Sequence, residues 1–320
     1  MKKLSKKILI TGGAGYIGQN LLSFFLKKKY QIYVIDNLST SLPINKSIKK
    51  NIFFYKINLT DERKAKLFFK RKSFDLIMHL AAFSGVKEFN KNVKKSFNNN
   101  VLATKNLVKF AFQNKNTKLI FSSSAAVYGK VSNEKISEDS ITNPINYYGL
   151  SKLACENIIN NGLKDKKNNY AILRYFNVVG SIVDYKIKKK INSLFDIINL
   201  NINKKKYRIN INGNSRDTND GTPERDFIHI SDLCAIHQKT YKYLEKNKKI
   251  ILNCGSGIKY SVLEIVRAFE KKIKRKFRIS YKITNSKETE TICSNIACLN
   301  RLLKISIKKK SINDLIKDYL

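Results

Sequence analysis

The chain has no tryptophan, three prolines, thirteen glycines and three histidines in 320 residues, and its 24 Asp and Glu are far outnumbered by 63 Lys and Arg. The histidines form no HxxxH or HxH pair, so no histidine-based metal site is expected, and His79 and His229 read as packed or hydrogen-bonded groups in or beside apolar strands. Five cysteines (Cys155, Cys234, Cys254, Cys293 and Cys298) form no CxxC pair and are odd in number. That pattern argues against a disulfide framework and for reduced thiols in a cytoplasmic protein. The apolar run in the basic start MKKLSKKILI stops at Ile10, too short for the core of a signal peptide, and no stretch approaches the roughly 20 residues of a membrane span. No membrane association is expected.

The shortage of acid leaves a net charge of +39, which on its own would suggest a nucleic-acid partner. The lysines, however, are spread in KK and KKK runs over the whole chain, and Asn and Ile are abundant alongside them. This is the bias of A- and T-rich codons, with no nucleic-acid-binding motif around it, so no nucleic-acid partner is expected. Such a field would still draw in small anionic substrates. The apolar fraction of 42% is that of a globular chain, and the length allows one large domain or two modest ones.

What is present is an alternation of short apolar runs with longer amphipathic stretches, the pattern of a parallel sheet covered by helices. KILIT (7–11), QIYVID (31–36), IFFYKIN (52–58), DLIMHLA (75–81), KLIFSSS (118–124) and YAILRYFN (170–177) are the predicted strands. Helical spacing runs from Gln19 to Lys28, Asp61 to Lys72, Phe97 to Asn114 and Tyr148 to Leu163. Beyond residue 177 the order loosens, with a basic stretch around 203–208, a polar loop INGNSRDTNDGTPERD, and short strands at DFIHISDL, IILNCGSG and FRISYKI. The expected fold is α/β: a Rossmann-like, doubly wound parallel sheet with a smaller, discontinuous C-terminal substrate domain. Residues 1–176 would form the larger, Rossmann-like domain, with 226–257 returning to it, and 177–225 and 258–320 the smaller one.

TGGAGYIG directly follows the first strand and opens the first helix. Gly13, Gly15 and Gly18 satisfy GxGxxG, and Gly12, Gly15 and Gly18 give a second register. Glycines there let the backbone approach a pyrophosphate at the positive end of a helix. Asp36 ends the second strand, where a carboxylate accepts from an adenosine ribose and repels a 2′-phosphate, favouring NAD over NADP. Further along, Tyr148 and Lys152 stand four apart on one helical face, so that an ammonium beside the phenol would lower its pKa and make it a usable base. Ser124, at the tip of the fifth strand, is placed to hold a sugar hydroxyl or the tyrosine.

TGGAGYIG, VIDNLST, HLAA (79–82), NNNV (98–101), SSSAAVYG, YYGLSK, LRYFNVVG (173–180) and DGTPERDFIHISDL (220–233) stand in an order and spacing similar to the extended short-chain dehydrogenase/reductases, particularly their nucleotide-sugar 4-epimerases, over nearly the whole chain. The resemblance implies NAD-dependent epimerisation at C4 of a UDP-hexose through a 4-keto sugar. It implies Ser124, Tyr148 and Lys152 as the catalytic set, with Tyr148 as base and Lys152 also holding the nicotinamide ribose. Gly12, Gly15, Tyr16, Ile17, Gly18, Asp36, Asn37, Asn58, Leu59, Ala81, Asn99 or its neighbour Asn100, Ser122 and Tyr175 would contact NAD, and Asn177 and Arg225 the diphosphate of the sugar nucleotide. A homodimer through the two helices 97–114 and 148–163 is implied as well.

Similar 4,6-dehydratases carry an Asp-Glu pair before Val-Tyr-Gly, and related decarboxylases keep a Glu there. This chain has Ala125 and Ala126, so chemistry beyond C4 loses its obvious proton carrier. Some positions depart from the epimerase pattern: Ser84 stands where Lys is frequent, Lys87 for Gly and Asn58 for Asp, and Lys287 offers the one positive charge in TNSKETETIC, a stretch usually rich in Arg. Ile292 falls where side-chain size governs room for an N-acetyl group. An epimerase, reductase or dehydratase acting on another nucleotide sugar, or a catalytically silent NAD-binding scaffold, are the alternatives.

Overall fold

The computed structural model describes residues 5–41, 43–84, 89–112, 116–131, 135–164, 166, 168–183, 193–282, 289–307 and 309–320; Lys87 and Lys287 lie outside them. Strands β1 (Lys7–Thr11), β2 (Gln31–Asp36), β3 (Phe53–Lys56), β4 (Leu76–His79), β5 (Lys118–Ser124) and β6 (Tyr170–Tyr175) follow one another with helices between them. After β6 the chain leaves, forms β7 (Asn177–Val179), β8 (Arg208–Asn212) and β9 (Glu224–His229), and comes back as β10 (Lys249–Cys254). The seven-stranded sheet runs in the order β10-β6-β5-β4-β1-β2-β3, and every pairing in it is parallel. Strand order reverses between β1 and β4, and a ligand crevice opens outside the carboxyl ends of the strands at such a reversal.

Alternation along the strands assigns the two faces. Ile8, Ile10, Ile120 and Leu173 pack under α1 (Tyr16–Leu26) and the helix Ile230–Tyr243, while Leu9, Phe121 and Ile172 pack under the helices Val93–Ala111 and Tyr147–Leu163. Both faces are therefore covered, as a parallel sheet requires.

Three predicted strands are shorter than their apolar runs: 53–56 within IFFYKIN, 76–79 within DLIMHLA and 170–175 within YAILRYFN. The last ends because Phe176 donates its N–H to the Cys254 carbonyl (3.0 Å) and the next residues turn away to pair with β9. β9 is also flanked by β11 (Lys259–Ser261) and β13 (Thr291–Ile292), and RININ in β8 pairs in parallel with β12 (Arg278–Lys282). A separate core of Val179, Phe195, Ile211, Phe227, Phe269 and Tyr319 holds these pieces together. Among the described residues, no helix is long and apolar enough to cross a membrane.

Candidate active site

The three serines that end β5 each have their own partner, because successive side chains of a strand point to opposite faces. Ser123 turns to the helix side and donates to Glu156 (2.5 Å). Ser122 turns the other way, to the cavity wall that it shares with Tyr175, while its carbonyl accepts from the Lys152 ammonium (2.7 Å). Ser124 caps the short turn Ala125–Val127, accepting from the Ala126 N–H (3.2 Å), and its hydroxyl lies on the Tyr148 side, where it favours the ionised phenol.

Tyr148 reaches that position because its helix starts in the right place. Asn146 accepts from the Gly149 N–H (2.8 Å) as the N-cap, which puts Tyr148 in the first turn. A Cβ on Gly149 would lie 2.3 Å from the Ala126 carbonyl oxygen, so only glycine lets the helix press against the turn that follows Ser124. Burial pushes the Tyr148 phenol up from its ordinary value, and the Ser124 hydroxyl works against that rise. Here the structure differs from the sequence-based expectation. Lys152 gives its ammonium to the Ser122 carbonyl, and Ser124 is the neighbour that favours the phenolate. Burial also brings Lys152 itself down to about 8, opposed by Cys155 and Glu156.

Beneath this tip lies a buried polar network that the sequence did not announce. Arg174 makes two parallel bonds to Glu156 (3.1 and 2.8 Å) and donates to the Tyr128 hydroxyl (2.9 Å), which in turn donates to Asn253 (2.7 Å). The available signal was an arginine inside the apolar strand LRY, since a buried guanidinium requires a carboxylate partner.

At the other end of the crevice Gly12 has φ +71°, and a Cβ there would meet the Ala81 backbone nitrogen at 2.6 Å. Gly15 begins α1 with no side-chain cap and no acid in the first turn, so backbone N–H groups at the positive end of the helix remain available to an anion. Asp36 accepts from the Ala14 N–H (3.0 Å), the Leu38 N–H (2.8 Å) and the Ser41 hydroxyl (3.0 Å). A carboxylate has about four lone-pair sites, so one is left for a ligand hydroxyl. This donor-and-acceptor set fits a dinucleotide.

One cavity of about 680 Å³ joins the two ends. Every site residue predicted from sequence lines it: Gly12, Gly15, Tyr16, Ile17 and Gly18; Asp36, Asn37, Asn58 and Leu59; Ala81, Asn99 and Ser122; Ser124, Tyr148, Lys152 and Tyr175; and Asn177 and Arg225. Asn100, weighed beside Asn99, is instead buried against the Phe83 backbone and Ser151. Tyr16 spends its hydroxyl on the Gly180 carbonyl (2.6 Å), fastening α1 to the loop after β7. Ser84 also lines the cavity, as does Ile292, which stands in register with Arg225. His79 is held between Thr11 and Thr104, and His229 between Ser231 and Asp318, in keeping with their structural reading. Among the described residues no cluster of His, Cys, Asp or Glu could hold a metal.

The end of the cavity near Asn177 and Arg225 depends on Asp226, which is fully buried. Its carboxylate accepts five bonds: from the Ser256 N–H and hydroxyl (both 2.7 Å), the Gly257 N–H (3.0 Å), and the Ser294 N–H (3.0 Å) and hydroxyl (2.5 Å). This ties β9, the loop after β10 and the segment after β13 to one point, and so fixes Arg225 against Ile292.

A nucleotide-binding α/β architecture with a serine, tyrosine and lysine at the crevice defines a short-chain dehydrogenase/reductase type of protein. The profile of the NAD dependent epimerase/dehydratase family matches residues 8–255, and the chain belongs to that family. It is 32% identical to the UDP-glucose 4-epimerase of Dictyostelium discoideum, over 95% of this chain and 91% of that one. The UDP-Glc/GlcNAc 4-epimerase of Campylobacter jejuni superposes with a TM-score of 0.83 at 33% identity, covering 98% of this chain and 99% of the other. UDP-glucose 4-epimerase from Bifidobacterium longum, solved with NAD+ and UDP, superposes with a TM-score of 0.88 at 28% identity, covering 98% and 96%.

Proposed function

We propose that the protein interconverts the C4 epimers of a UDP-hexose, using an NAD that stays bound through the cycle. The observation that carries this is the meeting of Ser124, Tyr148 and Lys152 on one wall of the dinucleotide crevice, with alanine at both 125 and 126. Among the described cavity-lining residues, Tyr148 is the group placed to exchange a proton with a sugar hydroxyl. The carboxylates among the described cavity-lining residues are Asp36, held by the glycine loop, and Asp196, which caps its own helix through Ser193.

Tyr148 takes the proton from the C4 hydroxyl, and Ser124 stabilises the phenolate that does so. Bound NAD supplies a positively charged two-electron acceptor, which further favours the phenolate, and afterwards a donor of the same electrons. Arg225 and Asn177 hold the diphosphate while the 4-keto sugar turns to present its other face, and Tyr148 returns the proton to oxygen. Lys152 would hold the nicotinamide ribose. Gly12, Gly15, Tyr16, Ile17 and Gly18 would cradle the pyrophosphate, Asp36 and Asn37 would take the adenosine ribose, and Asn58 and Leu59 would hold the adenine. Ala81, Asn99, Ser122 and Tyr175 line the path to the nicotinamide.

The named activities of the relatives support this substrate class, and the excess of lysine favours an anionic ligand. The molecule works as a homodimer through the helices Val93–Ala111 and Tyr147–Leu163, on which Leu102, Tyr147 and Leu150 are exposed. Its free cysteines suit a reducing cytoplasm.

Proton NMR of the purified protein with UDP-galactose, UDP-N-acetylgalactosamine or UDP-galacturonic acid, and no added cofactor, tests the proposal. Conversion of one of them to its gluco epimer is expected. A lack of conversion in every tube, repeated with NAD added, would defeat it.

A further inference from the structure

The segment that leaves β7 is held from two sides. On one side stands α1, whose first turn keeps backbone N–H groups for an anion: Tyr16 donates its hydroxyl to the Gly180 carbonyl (2.6 Å), and Asn20 accepts from the Ile182 N–H (2.8 Å). On the other stands the short helical turn Lys317–Tyr319, where the Tyr319 hydroxyl accepts from the Gly180 N–H (3.0 Å) and the Asp318 carboxylate from the Ser181 N–H (2.8 Å). Tyr16, Asn20, Ser181 and Val183 line the cavity, and Asp318 and Tyr319 grip its wall from outside that lining.

The Gly180 carbonyl and the Ser181 N–H belong to one planar peptide and point opposite ways. Tyr16 of α1 therefore donates to one end of the same rigid plate whose other end is taken by Asp318. The acceptor is itself fixed. A backbone N–H only donates, so His229, whose Nδ1 accepts from the Ser231 N–H (3.2 Å), carries its proton on Nε2 and gives it to Asp318 Oδ2 (2.8 Å), the oxygen that also serves Ser181. Tyr319 is buried, with its ring against Phe195 (centroids 5.3 Å apart) and Phe269 (6.4 Å) in the core of the small sheet. Groups of the smaller domain thus set the tilt of a peptide that seats on the helix receiving the pyrophosphate.

Resting on the bound NAD proposed above, we infer that Asp318 and Tyr319 are positioning residues for cofactor retention. They hold segment 180–183 against α1, so that this wall of the crevice stays seated from one turnover to the next. With Asp318 gone, the Gly180–Ser181 peptide is free to turn, and its carbonyl swings away from the Tyr16 hydroxyl.

Release of NAD from the purified holoenzyme tests this, read as loss of bound radiolabelled NAD into an excess of unlabelled NAD. Asp318→Ala leaves the Ser181 N–H without its acceptor and should speed release by about tenfold, the worth of one hydrogen bond. It should also raise the NAD concentration that gives half-maximal turnover more than it lowers kcat, a split that a general loss of structure would not produce. Asp318→Asn should stay near wild type, since one amide oxygen can take both bonds that Oδ2 accepts. Tyr319→Phe keeps the ring contacts and loses only the hydroxyl; it should speed release in the same direction, and it serves as the test where Asp318→Ala does not fold. Release as slow as that of wild type in Tyr319→Phe and in Asp318→Ala overturns the inference, as does release from Asp318→Asn as fast as from Asp318→Ala, while the dinucleotide site stands. Failure of wild type to bind NAD overturns the site and the inference together.

Discussion

The dinucleotide half and the sugar half of the cleft are built on different terms. In the first, β1, β4 and β5 deliver their functional residues at strand ends, and a contiguous motif occupies each position: TGGAGYIG after β1, SSS at the end of β5, YYGLSK at the start of the following helix. In the second, Asn177, Arg225 and Ile292 come from short strands far apart in sequence, brought to one wall by pairing on β9 and pinned by the five bonds that Asp226 accepts. A parallel sheet positions a site through many redundant pairings. The small sheet positions its share through a few short pairings and one buried carboxylate.

The largest effect should come from the first half, where chemistry is concentrated in a single atom. Tyr148→Phe should lower kcat by about a thousandfold, as expected for loss of a general base, while the protein keeps its fold and its NAD. Turnover by NMR and cofactor content by absorbance check both parts. Next, Asp226→Asn replaces an acceptor-only group with one that confronts five donors with an amide. It should reduce stability by about 3 kcal/mol in urea and raise KM for the UDP-sugar more than it lowers kcat. A change confined to kcat would break the division drawn above, because the defect would then have reached the chemistry.

Acid should distinguish the halves a third way. His237 and His79 belong to the large sheet and its cover, and burial holds them at about 4 and about 3, below the ordinary 6.5. The unfolded imidazoles take up protons as pH falls through 6.5 while the folded ones do not, so stability present above 6.5 is lost progressively towards 4. His237→Gln should flatten this loss by about 2 kcal/mol, read as melting temperature against pH relative to wild type. The smallest expected effect is that of Ile292→Val, under about 1.5 kcal/mol in stability. It should shift the ratio of kcat/KM for UDP-N-acetylgalactosamine over UDP-galactose by a few-fold, in favour of the larger sugar.

The same division explains what was legible in the sequence. QIYVID and KLIFSSS became strands at their predicted bounds because an apolar run buried on both faces leaves little choice. The glycine loop, Asp36, Tyr148 and Lys152 could be found because each sits at a fixed offset from a strand or helix end. RININ in β8 was passed over as part of a polar, basic stretch; only Ile209 and Ile211 are buried, and its partner β12 lies some 70 residues further on in the register. The Arg174–Glu156 pair and Asp226 were likewise hidden, since a buried charge looks like any surface charge until its partner is known. Lys152 shows the limit in the other direction. Spacing correctly placed it on the face of Tyr148, but which atom its ammonium binds was decided by the Ser122 carbonyl.

The return of β10 to the large sheet has a consequence for the making of this protein. All six residues of β6 are buried in the finished molecule, and one of its two edges is covered only by Lys249–Cys254. A chain emerging from the ribosome therefore carries an open, apolar sheet edge until about 75 further residues, β7, β8 and β9 among them, have been synthesised. Chaperone dependence, or aggregation of chains stalled between residues 176 and 248, would be the cellular trace of that topology.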